Sequence, residues 1–86
     1  MNTTTRPPPS VLLVHNGNPY KAHVKHLTDA GLNVSESHAE TALAETLRIN
    51  PDIVVLDFGC DGDVTAQLKS HEATKHIPII ALVELT

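Results

Sequence analysis

Four short hydrophobic runs divide the chain, and segments with mixed polarity lie between them. The run with the clearest pattern is 53–56, which contains four consecutive hydrophobic residues and no polar one. A strand of this kind is buried on both faces, as in the centre of a parallel sheet. The other runs, at 11–14, 32–34 and 77–83, predict three further strands.

The segments between the strands have the hydrophobic spacing of amphipathic helices. The predicted helices cover residues 19–30, 37–50 and 64–71. Gly31 suits the position after the first helix, and Ser37 with Glu40 has the capping-box pattern at the start of the second. The hydrophobic stripe predicted for the second helix consists of Ala39, Ala42, Leu43 and Leu47. Strands that alternate with helices predict an α/β fold with a parallel sheet and right-handed crossovers.

The length of 86 residues allows one small domain. Residues 1–10 include three consecutive prolines and are predicted to be a disordered, extended tail, so that the folded domain covers 11–86. The net charge of −4 and the near absence of aromatic residues argue against binding to nucleic acid. The single cysteine excludes an internal disulfide. Without a signal peptide or a long apolar segment, the sequence predicts a cytoplasmic protein that does not bind membranes.

Asp57 follows the most hydrophobic strand directly and is the carboxylate we expect to matter most. In open α/β sheets, ligands gather at the carboxyl ends of strands. If the first and third strands are neighbours, His15 and Asp57 lie side by side and form a pH-sensitive contact. With Asp61 or Asp63 nearby, such a pair would also suit Zn²⁺. The alternative is a half-exposed turn histidine beside a carboxylate that caps backbone N–H groups or is solvated.

The order of the elements and two motifs resemble the receiver domain of bacterial response regulators. Residues 50–57 (Asn-Pro-Asp-Ile-Val-Val-Leu-Asp) are similar to the family's phosphoacceptor strand. Residues 73–82 (Ala-Thr-Lys-His-Ile-Pro-Ile-Ile-Ala-Leu) are similar to its approach to strand four. The resemblance runs from Val11 to the C-terminus. It implies a flavodoxin-like (CheY-like) three-layer sandwich with a parallel sheet, truncated after the fourth strand.

Carried over by position, the resemblance makes Asp57 the equivalent of the phosphorylated aspartate. In the family, an acidic pair after strand one, the aspartate and a backbone carbonyl, here Gly59, hold Mg²⁺. A hydroxyl residue at the end of strand four, here Val83, belongs to the switch, which is completed by a lysine after strand five. In this chain the acidic positions are occupied by His15 and Asn16, or by Asn16 and Gly17 if the alignment starts from Asn18 and Pro19. Because phosphoryl transfer needs a cation to neutralise the developing charge, these departures weaken the site.

The sequence therefore predicts a pseudo-receiver, which is a non-catalytic interaction module of two-component signalling. We expect it not to be an enzyme, to need no cofactor, and to bind a sensor kinase or another signalling protein. The alternative is a true phosphoacceptor of a phosphorelay that is modified on Asp57. Its Mg²⁺ ligands would then be drawn from Asp57, Gly59, Asn16 and Asp61. A third hypothesis is a small metal-binding protein with His and Asp ligands.

The fourth strand has no predicted fifth neighbour, so its outer backbone groups would be unpaired. We therefore expect a homodimer, formed through this strand edge or through the helix face that a last helix would cover. The residues predicted at the edge are Ile77, Ile79, Ile80 and Leu82. The alternative explanation is that the chain is a fragment of a longer receiver protein.

Overall fold

A computed structural model describes residues 8–17, 21–57, 60 and 62–82 of the chain. Within these residues, four strands and three α-helices alternate along the sequence. The strands are β1 Ser10–His15, β2 Asn33–His38, β3 Ile53–Leu56 and β4 Ile79–Ala81. The helices are α1 Lys21–Asp29, α2 Ala42–Ile49 and α3 Gly62–Ser70. A short 3-10 helix, Ala39–Thr41, precedes α2. None of the described helices has the length and hydrophobicity that crossing a membrane requires.

The strands form one parallel sheet in the order β2-β1-β3-β4. Because successive side chains of a strand point to opposite faces, β1 contributes to two separate cores. Leu12 and Val14 pack on the side of α2 and α3, whereas Leu13 packs on the side of α1. All three side chains are fully buried. The prediction of an α/β sandwich with central strands buried on both faces is confirmed.

The start of the second helix differs from the capping-box prediction. Ser37 is still part of β2, where it aligns with Val14, and its hydroxyl donates a hydrogen bond to the carbonyl of His38 at 3.0 Å. The cap is made instead by His38, whose Nδ1 accepts the N–H of Glu40 at 3.2 Å. The prediction was wrong because β2 runs four residues beyond the predicted strand 32–34, so Ser37 is in extended backbone that pairs with β1.

The predicted hydrophobic stripe of α2 is confirmed in part. Ala42 is buried, and Ala39 and Leu43 pack against the same core, whereas Leu47 is 43% exposed, so its predicted burial was wrong. Thr46 is also buried on this face. Thr46 fits this apolar site because its hydroxyl donates to the carbonyl of Ala42 at 2.6 Å. The predicted end of the helix is confirmed: Asn50 adopts a left-handed conformation with φ of 52°, which turns the chain into Pro51 and β3.

The last strand is shorter than predicted. Ile77 precedes β4, and its N–H donates to the carbonyl of Thr74 within a turn. Its side chain is buried against α3 in the core, so its placement on the strand edge was wrong. The turn is tied to α3 by the hydroxyl of Thr74, which donates to the carbonyl of Leu68 at 2.6 Å. Val83 lies outside the described residues, as do residues 1–7 of the predicted tail.

Candidate functional site

Asp57 lies directly after β3, at the carboxyl edge of the sheet. Asp57 is buried, with 3% of its surface exposed. Its N–H donates to the carbonyl of Val14 at 2.8 Å, and its carbonyl accepts the N–H of Cys60 at 3.3 Å. The register of β1 and β3 aligns Val14 with Leu56, so the positions that follow, His15 and Asp57, end neighbouring strands. The predicted placement of these two residues at one edge of the sheet is confirmed.

The ring of His15 lies against β2 and does not form the predicted pair with Asp57. Its Nδ1 accepts the N–H of Gly17 at 2.9 Å. Its Nε2 lies 3.7 Å from Oε1 of Glu36, and its ring meets that of His38 edge-to-face with a centroid distance of 6.2 Å. The positive φ of Gly17, 90°, turns the backbone back onto the imidazole. The side chain of His15 is 14% exposed, so the expectation of a half-exposed histidine was also wrong.

Glu36 and His38 were not predicted to be neighbours of His15. The signal was present in the alternation along 33–38, which places Val34, Glu36 and His38 on one face of β2. Only the register, in which His15 aligns with His38, brings this face to the end of β1. That register depends on β2 continuing to His38, which the predicted short strand did not include.

A polar cleft of about 250 Å³ opens at the same edge of the sheet. It lies between the segments that follow β1 and β2 and the first two turns of α3. Its lining residues are Asn16, His38, Ala39, Glu40, Asp63, Val64 and Gln67. Two of the sequence-predicted polar residues, Asn16 and Asp63, therefore meet in this cleft, whereas Asp57 is not part of its lining.

The predicted metal ligands are only partly described. Asp57 and Asn16 belong to the described residues, whereas Gly59 and Asp61 lie outside them. In the described part of the chain, no three His, Cys, Asp or Glu side chains are grouped so that they could hold a metal ion. Mg²⁺ prefers oxygen ligands and is usually bound through one or two carboxylates. Of the predicted ligands, the described residues therefore include one carboxylate, that of Asp57, and one amide, that of Asn16, which is a weaker ligand.

A second depression, of about 220 Å³, lies between α1 and β4, on the face of the sheet opposite to α2 and α3. Its lining residues are His26, Leu27, Val55, Ile80 and Leu82. The lining is almost entirely apolar, and Ile80 is 47% exposed beside it. The face of α1 that was predicted to be uncovered therefore borders an open apolar groove in the described part of the chain.

The fold is similar to that of a solved structure, the response regulator from Desulfuromonas acetoxidans, with a TM-score of 0.74. The two chains are 22% identical, and the alignment covers 86% of this chain and 65% of that one. No protein-family model and no curated protein sequence matches the chain. The similarity confirms the predicted flavodoxin-like (CheY-like) fold. A shared fold does not itself determine function, which has to be argued from the residues of the site.

Proposed function

We propose that this chain is a cytoplasmic, receiver-like module of two-component signalling that acts by binding other proteins and has no phosphotransfer activity of its own. The fold that it shares with a response regulator supports the signalling class. The observation that carries the non-catalytic part is the environment at the end of β1. His15 and Asn16 stand there, and the ring of His15 contacts Glu36 and His38 of β2.

This arrangement argues against phosphoryl transfer on electrostatic grounds. A phosphoryl group in transfer carries negative charge on its equatorial oxygens, and catalysis requires a cation that stabilises this charge. A divalent cation in turn needs carboxylates around it. The last residue of β1, His15, and the residue after it, Asn16, supply an imidazole and an amide at this edge of the sheet instead of a second carboxylate.

A second candidate function is supported by the position of Asp57 itself. It follows the central strand β3 at the edge where ligands gather in open α/β sheets. In this alternative the chain is a phosphoacceptor that is modified on Asp57 in the presence of Mg²⁺. The ligands would be Asp57, Asn16, the carbonyl of Gly59 and the carboxylate of Asp61. The partner in either case is a protein, such as a sensor kinase or another signalling protein.

Intact-mass measurement after incubation with acetyl phosphate and Mg²⁺ distinguishes the two. We expect no phosphate-sized gain in mass for the unchanged chain, while a phosphorylatable receiver in the same tube confirms that the reagent is active. The matched control is Asp57→Asn, which keeps the size of the side chain and removes the nucleophile. A gain that requires Mg²⁺ and disappears in Asp57→Asn would overturn the non-catalytic proposal and establish the alternative. Circular dichroism of both proteins shows that each is folded.

A further inference from the structure

We propose that two copies of this chain associate through the outer edge of β4, which pairs antiparallel with β4 of the second copy about a twofold axis at Ile80. In the described part of the chain, β4 is the end strand of the sheet. The edge of such a strand offers N–H and C=O groups to another strand, and proteins usually protect it with charges, bulges or prolines. Ile79, Ile80 and Ala81 provide no charge. The other end strand, β2, contains Glu36.

The hydrogen bonds to β3 show which groups of β4 face outward. The carbonyl of Pro78 accepts the N–H of Val54, and the N–H of Leu82 donates to the carbonyl of Leu56, each at 2.9 Å. In a strand, the residues that bond to one neighbour alternate with residues whose groups point to the other side. Ile80 therefore bonds toward β3, and Ile79 and Ala81 present their N–H and C=O groups outward. The missing N–H of Pro78 is on the inner side and does not interrupt the outer edge.

These outward groups are complementary to a copy of themselves. An antiparallel pair alternates between residues that exchange both N–H···O bonds and residues that exchange none. A twofold axis at Ile80 places Ile79 opposite Ala81 of the second copy, and Ala81 opposite the second Ile79. Both of these pairs are then hydrogen-bonded pairs, and the outward backbone groups of the described strand are satisfied.

The side chains favour the same arrangement. Ile80 aligns with Val55 in the sheet and therefore lies on the α1 face, beside the apolar groove. At the twofold axis it meets Ile80 of the second copy in a non-hydrogen-bonded pair, where the Cα atoms are only about 4.5 Å apart. Because the axis is perpendicular to the sheet, both α1 helices remain on one face, and the two grooves join into one apolar surface. A second copy thus covers the exposed Ile80 with its own equivalent.

The association is tested by sedimentation equilibrium of the 86-residue chain across roughly 10–500 μM, since the population of a dimer follows mass action. We expect the mean mass to rise from that of one chain, 9.3 kDa, toward twice this value. Ile80→Lys and Ala81→Pro should each weaken the association about tenfold or more, because they place a charge at the axis or remove an outward N–H. Leu47→Lys is the matched control, since Leu47 is 43% exposed on α2 and should leave the mass distribution unchanged.

Disulfide formation tests the register and does not depend on whether Ala81→Pro folds. In a Cys60→Ser background, Ile80→Cys should form a disulfide-linked dimer on mild oxidation, because the two Cα atoms lie within the roughly 4.4–6.8 Å that a disulfide spans. Ala81→Cys should not, because its own equivalent lies diagonally across the strands, beyond about 7 Å. A monomeric mass at every concentration, equal weakening by Leu47→Lys, or equal cross-linking of the two cysteine variants would overturn the proposal.

Discussion

We expect the hydrogen bond from the hydroxyl of Thr74 to stabilise the segment between α3 and β4. Thr74 is buried, and its Oγ1 donates to the carbonyl of Leu68 at 2.6 Å. Leu68 is among the last four residues of α3, whose carbonyls have no intrahelical donor. Thr74→Val keeps the shape of the side chain and removes the donor. The buried carbonyl then loses its partner, so we expect a loss of about 1–3 kcal/mol in the free energy of unfolding.

Thr46 provides a matched control within the same protein. It is equally buried, and its Oγ1 donates to the carbonyl of Ala42, also at 2.6 Å. That carbonyl lies at the start of α2, where the helix supplies the N–H of residue 46 as a second donor. Thr46→Val therefore leaves no orphaned acceptor and should change stability far less. The difference between the two variants isolates the cost of the unsatisfied carbonyl from the cost of losing a hydroxyl.

Urea denaturation followed by circular dichroism measures both variants, with thermal unfolding as a second probe. For a domain of this size, each kcal/mol lost lowers the melting temperature by roughly 4–8 °C. Equal destabilisation by the two substitutions would refute the reasoning, since it would mean that the α3 carbonyl gains nothing from Thr74. A large effect of Thr46→Val alone would refute it as well. The slope of the urea transition should stay the same in both variants.

Three further predictions concern local contacts. His38→Ala should lower the free energy of unfolding by about 1 kcal/mol, because the N–H of Glu40 loses its acceptor, while His38→Asn should restore most of it in urea denaturation. Gly31→Ala should cost about 1–2 kcal/mol through its φ of +88° alone, because no atom of the described residues lies within 4 Å of the added Cβ. The hydrogen bonds from Arg48 lower the pKa of Glu45, so Arg48→Gln should raise it in an NMR titration.

The lowered pKa of Glu45 makes the contribution of its ion pair to folding stability depend on pH. A carboxyl group whose pKa is lower in the folded state contributes stability above its unfolded pKa and loses this contribution as the pH falls through the folded pKa. The ion pair of Glu45 and Arg48 should therefore support folding at neutral pH and cease to do so under acidic conditions. Because the pair is on the surface of α2, added salt should reduce the pKa difference between the original chain and Arg48→Gln.

The strands were predictable because their sequence pattern has few competing explanations. Four consecutive hydrophobic residues at 53–56 favour a strand that is buried on both faces, and the run at 11–14 has the same character. The strand β2 was only half predicted, since Ser35 to His38 are polar residues that stay extended through pairing with β1. Tertiary pairing here overrides the local preference of Ser37 for a helix start.

In the candidate site, too, one feature was predictable from the sequence and another was not. The position of Asp57 was predictable because it depends on where a strand ends. The contacts of His15 were not, because they depend on the register between β1 and β2 and on the turn made by Gly17. A pattern along one chain segment gives the direction of a side chain relative to its own strand, whereas its partners are set by the neighbouring strand. The charged neighbour of His15 is for this reason Glu36 and not the carboxylate of Asp57.

The two proposals concern different edges of one sheet, and the bonds around β3 connect them. Leu56, the last residue of β3, accepts the N–H of Leu82 just after β4, and the next residue in the chain is Asp57. The carboxylate and the pairing edge are therefore separated by a single ladder of hydrogen bonds. If Asp57 carries no phosphoryl group, we expect the association to depend on the backbone of β4 and on the side chain of Ile80. In a module of this kind, the affinity of one copy for another would be set by the complementarity of their surfaces and not by phosphorylation of the aspartate.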